Sequence, residues 1–158
     1  MMKNHQYKAT ISWTGNLGTG TSTYKAFSRN HEINIDGKPT IPGSSDPSFR
    51  GDGTRYNPEE LLVASLSSCH MLWYLHLCSE AGVVVVDYTD NATGTMAETP
   101  DGSGYFTEVT LYPMVVVRDA SMVNKANELH HEANKYCFIA NSCNFPVLHK
   151  PVCKVHEA

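Results

Sequence analysis

The chain has 158 residues, 41% of them hydrophobic and 18% charged, with a formal net charge of -4 at pH 7. Such a length and balance predict one soluble domain over residues 1–158 with a sizeable core, and exclude disorder as the default state. An acidic chain without a dense Lys/Arg cluster is not built for nucleic acid or an anionic membrane surface, and Met1 to Gln6 leads into the first strand pattern without a signal-peptide core, so a cytoplasmic protein acting on a small molecule is expected.

Tyr7 to Trp13 alternates polar and apolar residues, a glycine-rich break follows from Thr14 to Thr21, and Thr23 to Phe27 resumes strand composition. This predicts a hairpin or a pair of sheet strands. A third strand is expected from His31 to Ile35, closed by the turn dipeptide Asp36-Gly37. The glycines between Gly15 and Gly20 precede strand-like residues rather than a helix N-terminus, so they do not form a phosphate-binding fingerprint. Lys38 to Tyr56 is rich in Pro, Gly, Ser and Asp and carries Arg50 and Arg55. A polar connection of that length is often functional.

Asn57 is suited to cap a helix, Pro58 to open it, and Glu59 and Glu60 to place negative charge at its positive end. From Leu61 to Leu77 nearly every residue is apolar or small, which predicts a helix buried on most of its circumference. Ser65, Ser67, Ser68, His70 and His76 interrupt it, so it reads as a protein core and not as a clean membrane span. Gly82 ends it. Two long strands, from Val83 through Ala97 and from Tyr105 to Val117, are separated by a turn at Thr99-Pro100-Asp101-Gly102 and are expected to pair antiparallel. Helical spacing returns from Ser121 to about Cys137, Asn141 to Pro146 breaks it, and Val152 to His156 reads as a final strand. Strands, helix, strands, helix and strand in that order predict an α+β fold.

Five cysteines, Cys69, Cys78, Cys137, Cys143 and Cys153, are an odd number without a Cys-x-x-Cys pair, so a structural disulfide framework is not expected. Cys78 and Cys153 read as packing, whereas Cys143, a short loop beyond Cys137, competes with it for a redox role. His70, His76, His130 and His131 lack a His-x-x-x-His frame, and neighbouring His130 and His131 point in different directions on a helix. They read as residues packed at a subunit seam and not as zinc ligands. Met71, Trp73, Tyr74, Phe138 and Phe145 suit either an apolar substrate entrance or the core, and helical spacing favours the core.

The run Asn57-Pro58-Glu59-Glu60-Leu61-Leu62-Val63-Ala64-Ser65-Leu66-Ser67-Ser68-Cys69 resembles the Asn-Pro-Glu-(Glu/Gln)-Leu…Ala-Cys helix of the OsmC/Ohr family of thiol-dependent hydroperoxide reductases. Glu132 to Ser142, which contains Cys137, is similar to the family's second signature. The likeness spans most of the chain and favours the OsmC-like branch, because Gly15-Asn16-Leu17-Gly18 lacks the Arg of the Ohr glycine turn. It implies antiparallel sheets enclosing two central helices in an intertwined homodimer. It further implies Cys69 as the peroxidatic thiolate, Cys137 as its resolving partner, and Glu59 as the carboxylate that orients an Arg beside the thiolate. Phe49-Arg50-Gly51-Asp52 lies close to the expected register for that Arg, with Arg55 as competitor. No metal or other cofactor is implied. The reductant would be an external dithiol, which for family members is often a lipoyl protein, and the alternative is a non-catalytic stress or ligand-binding protein of the same fold. Ten residues at 1.5 Å rise place Glu59 roughly 15 Å from Cys69 along a straight helix. If Glu59 serves the thiol site, it must therefore come from a second copy across a two-fold axis.

Overall fold

A computed structural model describes residues 1–157. The chain forms a first unit over residues 1–61 and a second from residue 62 onward.

In the first unit, β1 (Thr10–Trp13), β2 (His31–Asn34) and β3 (Ile41–Gly43) form an antiparallel sheet in that order, with Thr10 opposite Asn34 and His31 opposite Gly43. The expected strand at Thr23 to Phe27 is absent, and a single bridge joins Asn16 to Phe27. Arg29 accounts for the difference. Its guanidinium donates to the carbonyls of Tyr24 at 2.8 Å and Phe27 at 2.7 Å while lying over both rings, so those acceptors fold into a turn instead of a ladder. The glycine turn before it closes on Asn16, whose side chain accepts the Gly18 and Gly20 amides at 2.9 and 3.0 Å. β3 lies inside the segment read as connection, too short for periodicity to reveal.

Helix α1 runs from Pro58 to Glu80. Its start is a reciprocal cap: the Glu60 amide donates to Asn57 Oδ1 at 2.8 Å, and the Asn57 amide donates to Glu60 Oε2 at 3.1 Å. Asn57→Ala is expected to cost about 1 kcal/mol in urea denaturation, because an orphaned donor returns to the first turn. An unchanged midpoint would mean that the helix end is held by other contacts. At the far end Gly82 takes the left-handed conformation (φ 72), the Gly82 amide donates to Ser79, and the Val83 amide donates to Cys78. These are the paired bonds of a glycine C-terminal cap.

Burial of α1 departs from expectation. Leu66, His70, Tyr74 and Cys78 form one buried stripe, while Leu72 is 64% exposed and Ala64, Ser68 and His76 are open to solvent. Its apolar residues surround the axis, but the chain covers only one side. By length and composition the 23-residue helix could cross a membrane, contrary to the reading of its polar interruptions, yet its buried stripe packs into the core of the second unit.

That unit contains β4 (Val85–Asp90), β5 (Thr93–Glu98), β6 (Gly104–Leu111), β7 (Pro113–Val117), α2 (Val123–Tyr136), β8 (Val147–His149) and β9 (Val152–Val155). The two expected long strands pair antiparallel but break into two sheets, ordered β4-β7-β9 and β5-β6-β8. Asp90 holds the break. One carboxylate oxygen accepts the Tyr112 amide at 2.7 Å and the other accepts the Ser67 hydroxyl at 2.6 Å, while Pro113 has no N–H to continue the ladder. β8 and β9 pair parallel to β6 and β7, so the sheets are mixed rather than purely antiparallel. A parallel return needs a long crossover, and α2 supplies it. Tyr74, Cys78, Val115, Val117, Ala126 and Ala133 centre the larger apolar cluster, and Leu66, Val109 and Leu111 the smaller.

Candidate active site: two facing thiols

Cys69 is half-buried on α1, and Cys137 follows the last residue of α2 at 1% exposure. Both are free thiols, and they face each other. Burial pushes the Cys137 thiol up to about 11, and the adjacent Cys69 raises it further. The Ala140 amide, directed at Cys137 Sγ from 3.4 Å, pulls the other way. Cys137 therefore holds its proton at neutral pH, and Cys69 is the more accessible of the two.

Helix packing explains how residues so distant in sequence meet. The Tyr74 ring stacks on His130 with centroids 3.8 Å apart, one turn beyond Cys69 on α1 and two turns before Cys137 on α2. The helices thus pass each other in opposite senses, with Ala126 and Ala133 fully buried in the larger apolar cluster.

An aromatic wall borders the thiols. Trp73, one turn after Cys69, stacks against Tyr136 at 5.2 Å and meets the edge of Phe138 at 5.5 Å, and these two residues flank Cys137. Phe138 is 67% exposed, and a cavity of about 270 Å³ is lined by Leu72, Trp73 and His76. Helical spacing had favoured the core for these aromatics. Tyr74 and Phe145 do pack inward, and the half-buried Trp73 packs against the larger cluster while its ring meets the exposed Phe138 beside the thiols.

The other cysteines are occupied by packing. Cys78 is buried, and that burial pushes its thiol up while the neighbouring Tyr74 side chain pulls the other way; Cys153 packs against the same cluster. Cys143 donates to the Ile139 carbonyl at 3.3 Å and joins the smaller cluster.

The histidines divide in a way the spacing only half anticipates. His131 and His76 are exposed, whereas His70 and His130 are 1% exposed and bond to each other at 3.0 Å within one chain. The expected seam position is corrected for these two: their places in the stripes Leu66-His70-Tyr74-Cys78 and Ala126-Leu129-His130-Ala133 put them inside. That helical register was the available signal. Among the described residues no group of three His, Cys, Asp or Glu side chains is placed to hold a metal ion.

Arg50, Arg55 and Glu59 belong to the first unit. Arg55 is engaged there, donating to the His31 carbonyl at 3.3 Å and lying 3.7 Å from the Asp52 carboxylate. Arg50 has no carboxylate within ion-pair distance among the described residues, and its guanidinium lies 6.0 Å over the Tyr24 ring. It adopts a left-handed backbone (φ 64) after the short turn Pro47–Phe49, a conformation that costs a non-glycine residue roughly 1 kcal/mol. Glu59 is half-buried beside Glu60, which is committed to the cap.

The model of a family described as OsmC-like protein matches residues 51–150. No curated protein matches the chain. An OsmC-like protein of unknown function from Vibrio cholerae is 32% identical, with a TM-score of 0.84 over 94% of this chain and 100% of its own. Organic hydroperoxide resistance proteins from Elizabethkingia anophelis and Legionella pneumophila are each 18% identical. Their TM-scores are 0.70 and 0.71, over 99% and 98% of this chain and the whole of theirs, a likeness of fold.

Proposed function

Because the chain belongs to the OsmC-like family and has its α+β fold, we propose that it is a thiol-dependent peroxidase that reduces organic hydroperoxides to alcohols. The observation that carries this reading is the confrontation of Cys69 with Cys137 beside an apolar surface. The Cys69 thiolate attacks one oxygen of ROOH and the O–O bond breaks. The RO⁻ fragment leaves and takes up a proton, which yields an alcohol and a Cys69 sulfenic acid. Cys137 then gives up its S–H proton as its sulfur displaces hydroxide from Cys69, forming the disulfide and one water. An external dithiol restores both thiols by exchange and is itself oxidised. Trp73, Tyr136 and Phe138 offer the hydrocarbon part of the substrate an apolar face, which favours organic peroxides over hydrogen peroxide.

The family resemblance adds Arg50 as the cation that favours the thiolate and Glu59 as the carboxylate that orients it. Arg50 is preferred to Arg55 because Arg55 already holds Asp52 and His31. α1 is unbroken from Pro58 to Glu80, so roughly 15 Å of helix separates Glu59 from Cys69, and we assign the Glu59 that serves each site to a second copy of the chain. Leu72, 64% exposed on the uncovered side of α1, is an apolar side chain that such a homodimer would cover. Arg50→Ala is expected to slow Cys69 oxidation on the order of a hundredfold while leaving the urea midpoint unchanged, and Arg55→Ala to lower the midpoint instead. Equal oxidation rates in Arg50→Ala and wild type would remove Arg50 from the site.

The reading as a whole is tested by consumption of cumene hydroperoxide with dihydrolipoate as reductant, comparing wild type with Cys69→Ser and Cys137→Ser. Thiol-dependent turnover by the wild type is the expected result. Equal consumption by all three proteins would defeat the catalytic reading and favour a ligand-binding member of the fold.

A further inference from the structure

His70 directly follows Cys69 on α1, and His130 lies two helical turns before Cys137 on α2. His70 Nε2 and His130 Nδ1 meet at 3.0 Å, with both side chains 1% exposed. Among the described residues this is the one hydrogen bond that joins the two thiol-bearing helices. The other contacts between them are the rings of Tyr74 on His130 and Trp73 on Tyr136 and the apolar packing of Tyr74 and Cys78 with Ala126, Leu129 and Ala133, none of which is a hydrogen bond that fixes one register. Two aliphatic side chains would bury as well there without desolvating four ring nitrogens, two of which, His70 Nδ1 and His130 Nε2, have no partner. The pair is thus a costly way to fill space and a direct way to set register. Tyr74 stacked on His130 and the His149 ring 5.7 Å from His70 hold both imidazoles in one orientation.

Resting on the hydroperoxide-reductase reading, we propose that the His70–His130 hydrogen bond is a positioning pair that holds α1 against α2 in the register at which Cys69 and Cys137 close their disulfide. A disulfide demands Cα atoms within about 7 Å and a narrow dihedral range. One directional bond, a single residue from one thiol and two turns from the other, limits both sliding and rotation at that level. Neither histidine touches the peroxide. Their effect is on how readily the oxidised Cys69 is captured by Cys137, and so on the stability of the disulfide that results.

The measurement is the reduction potential of the Cys69–Cys137 pair, obtained by equilibrating the full chain in oxidised and reduced dithiothreitol and mapping the disulfide peptide. Leucine at both positions preserves apolar burial but removes the bond, and is expected to weaken the disulfide about tenfold, a rise of about 30 mV. A second set separates bond geometry from folding. Glutamine at 70 reaches the place of Nε2 and asparagine at 130 the place of Nδ1, so His70→Gln and His130→Asn are expected to stay within threefold of wild type. The reversed choices, His70→Asn and His130→Gln, are expected to weaken the disulfide as leucine does. A merely structural role gives no such crossed preference. Equal potentials across the polar variants, with the wild-type disulfide present, overturn the positioning pair and leave the peroxidase reading standing. A wild type that consumes hydroperoxide through Cys69 but never forms the Cys69–Cys137 disulfide overturns the pair together with the resolving role of Cys137.

Discussion

Cys69→Ser is expected to lower hydroperoxide consumption on the order of a thousandfold or more, whereas Cys137→Ser should retain the first turnover and lose the later ones. The two thiols are chemically unequal although they face each other. Cys69 is half-buried and open to a solute, while Cys137 is enclosed and pushed up to about 11, so it holds its proton at pH 7. Serine at 69 removes the only thiol of the pair that a peroxide reaches, and an alcohol oxygen is a far weaker nucleophile at neutral pH. Serine at 137 leaves the attack intact and removes the group that condenses with the sulfenic acid. Stopped-flow consumption should then show one equivalent per chain, and a carbon nucleophile such as dimedone should label position 69. In the wild type that label should be displaced by disulfide. The capture step should also quicken as pH rises from 7 towards 9, by up to about tenfold per unit, because each unit multiplies the Cys137 thiolate fraction tenfold. Multiple turnovers by Cys137→Ser at the wild-type rate would exclude Cys137 as the resolving residue.

Acidification should destabilise the fold through the two buried histidines, His70 and His130. His70 is lowered to about 4 by burial first and then by His149, and His130 to about 3 by burial and then by His70 and His149. Their ordinary value is 6.5, so the unfolded chain takes up protons below that pH that the folded chain refuses. The stabilising contribution is therefore whole above pH 6.5 and is lost progressively as pH falls towards about 4. A shift of that size corresponds to roughly 3 kcal/mol for one histidine. Urea midpoints should hold level from pH 8 to 7 and fall steeply from 6 to 5. Asp46, Asp52 and Asp101 are held below 3.8 by hydrogen bonds from Ser48, Thr54 and Thr99. Their contribution is lost only under more acid conditions, so the two windows separate. The double leucine variant, which has no imidazole at either position, should flatten the upper window. A wild-type midpoint that stays constant down to pH 5 would show that the two histidines are charged within the fold.

The candidate site was readable in unequal parts. Cys69 and Cys137 stand in two local runs, each a helix with a recognisable sequence, and both reappear as a facing pair. Register favoured Arg50, with Arg55 as competitor, and their contacts differ: Arg55 is bound to Asp52 and His31, while Arg50 lies 6.0 Å over the Tyr24 ring. The His70–His130 bond went unread because its partners lie sixty positions apart on helices whose relative register no local pattern encodes. The aromatic wall was legible only in part, for a related reason: of the aromatics that spacing assigned to the core, Tyr74, Trp73 and Phe145 do pack against it, and Phe138 alone is exposed. Helical spacing shows that Trp73 lies one turn above Cys69, but not that the α2 terminus brings Tyr136 and Phe138 to meet it.

By itself the sequence determined what short-range chemistry controls. The Asn57-Pro58-Glu59-Glu60 start of α1, its stop at Gly82, the two helices and the α+β class all follow from caps, backbone preferences and periodicities that act within a few residues. Only the tertiary structure decided what depends on distant partners. Arg29 taking two carbonyls abolished a plausible strand, Asp90 holding Tyr112 and Ser67 divided one long hairpin between two sheets, and α2 carried the chain back to pair β8 and β9 in parallel. The same long-range packing left one side of α1 uncovered and brought two thiols from opposite ends of the second unit face to face. A cap or turn is settled by neighbours that the chain always holds close, whereas a sheet break or a thiol pair exists only after chain entropy has been spent to bring remote residues together.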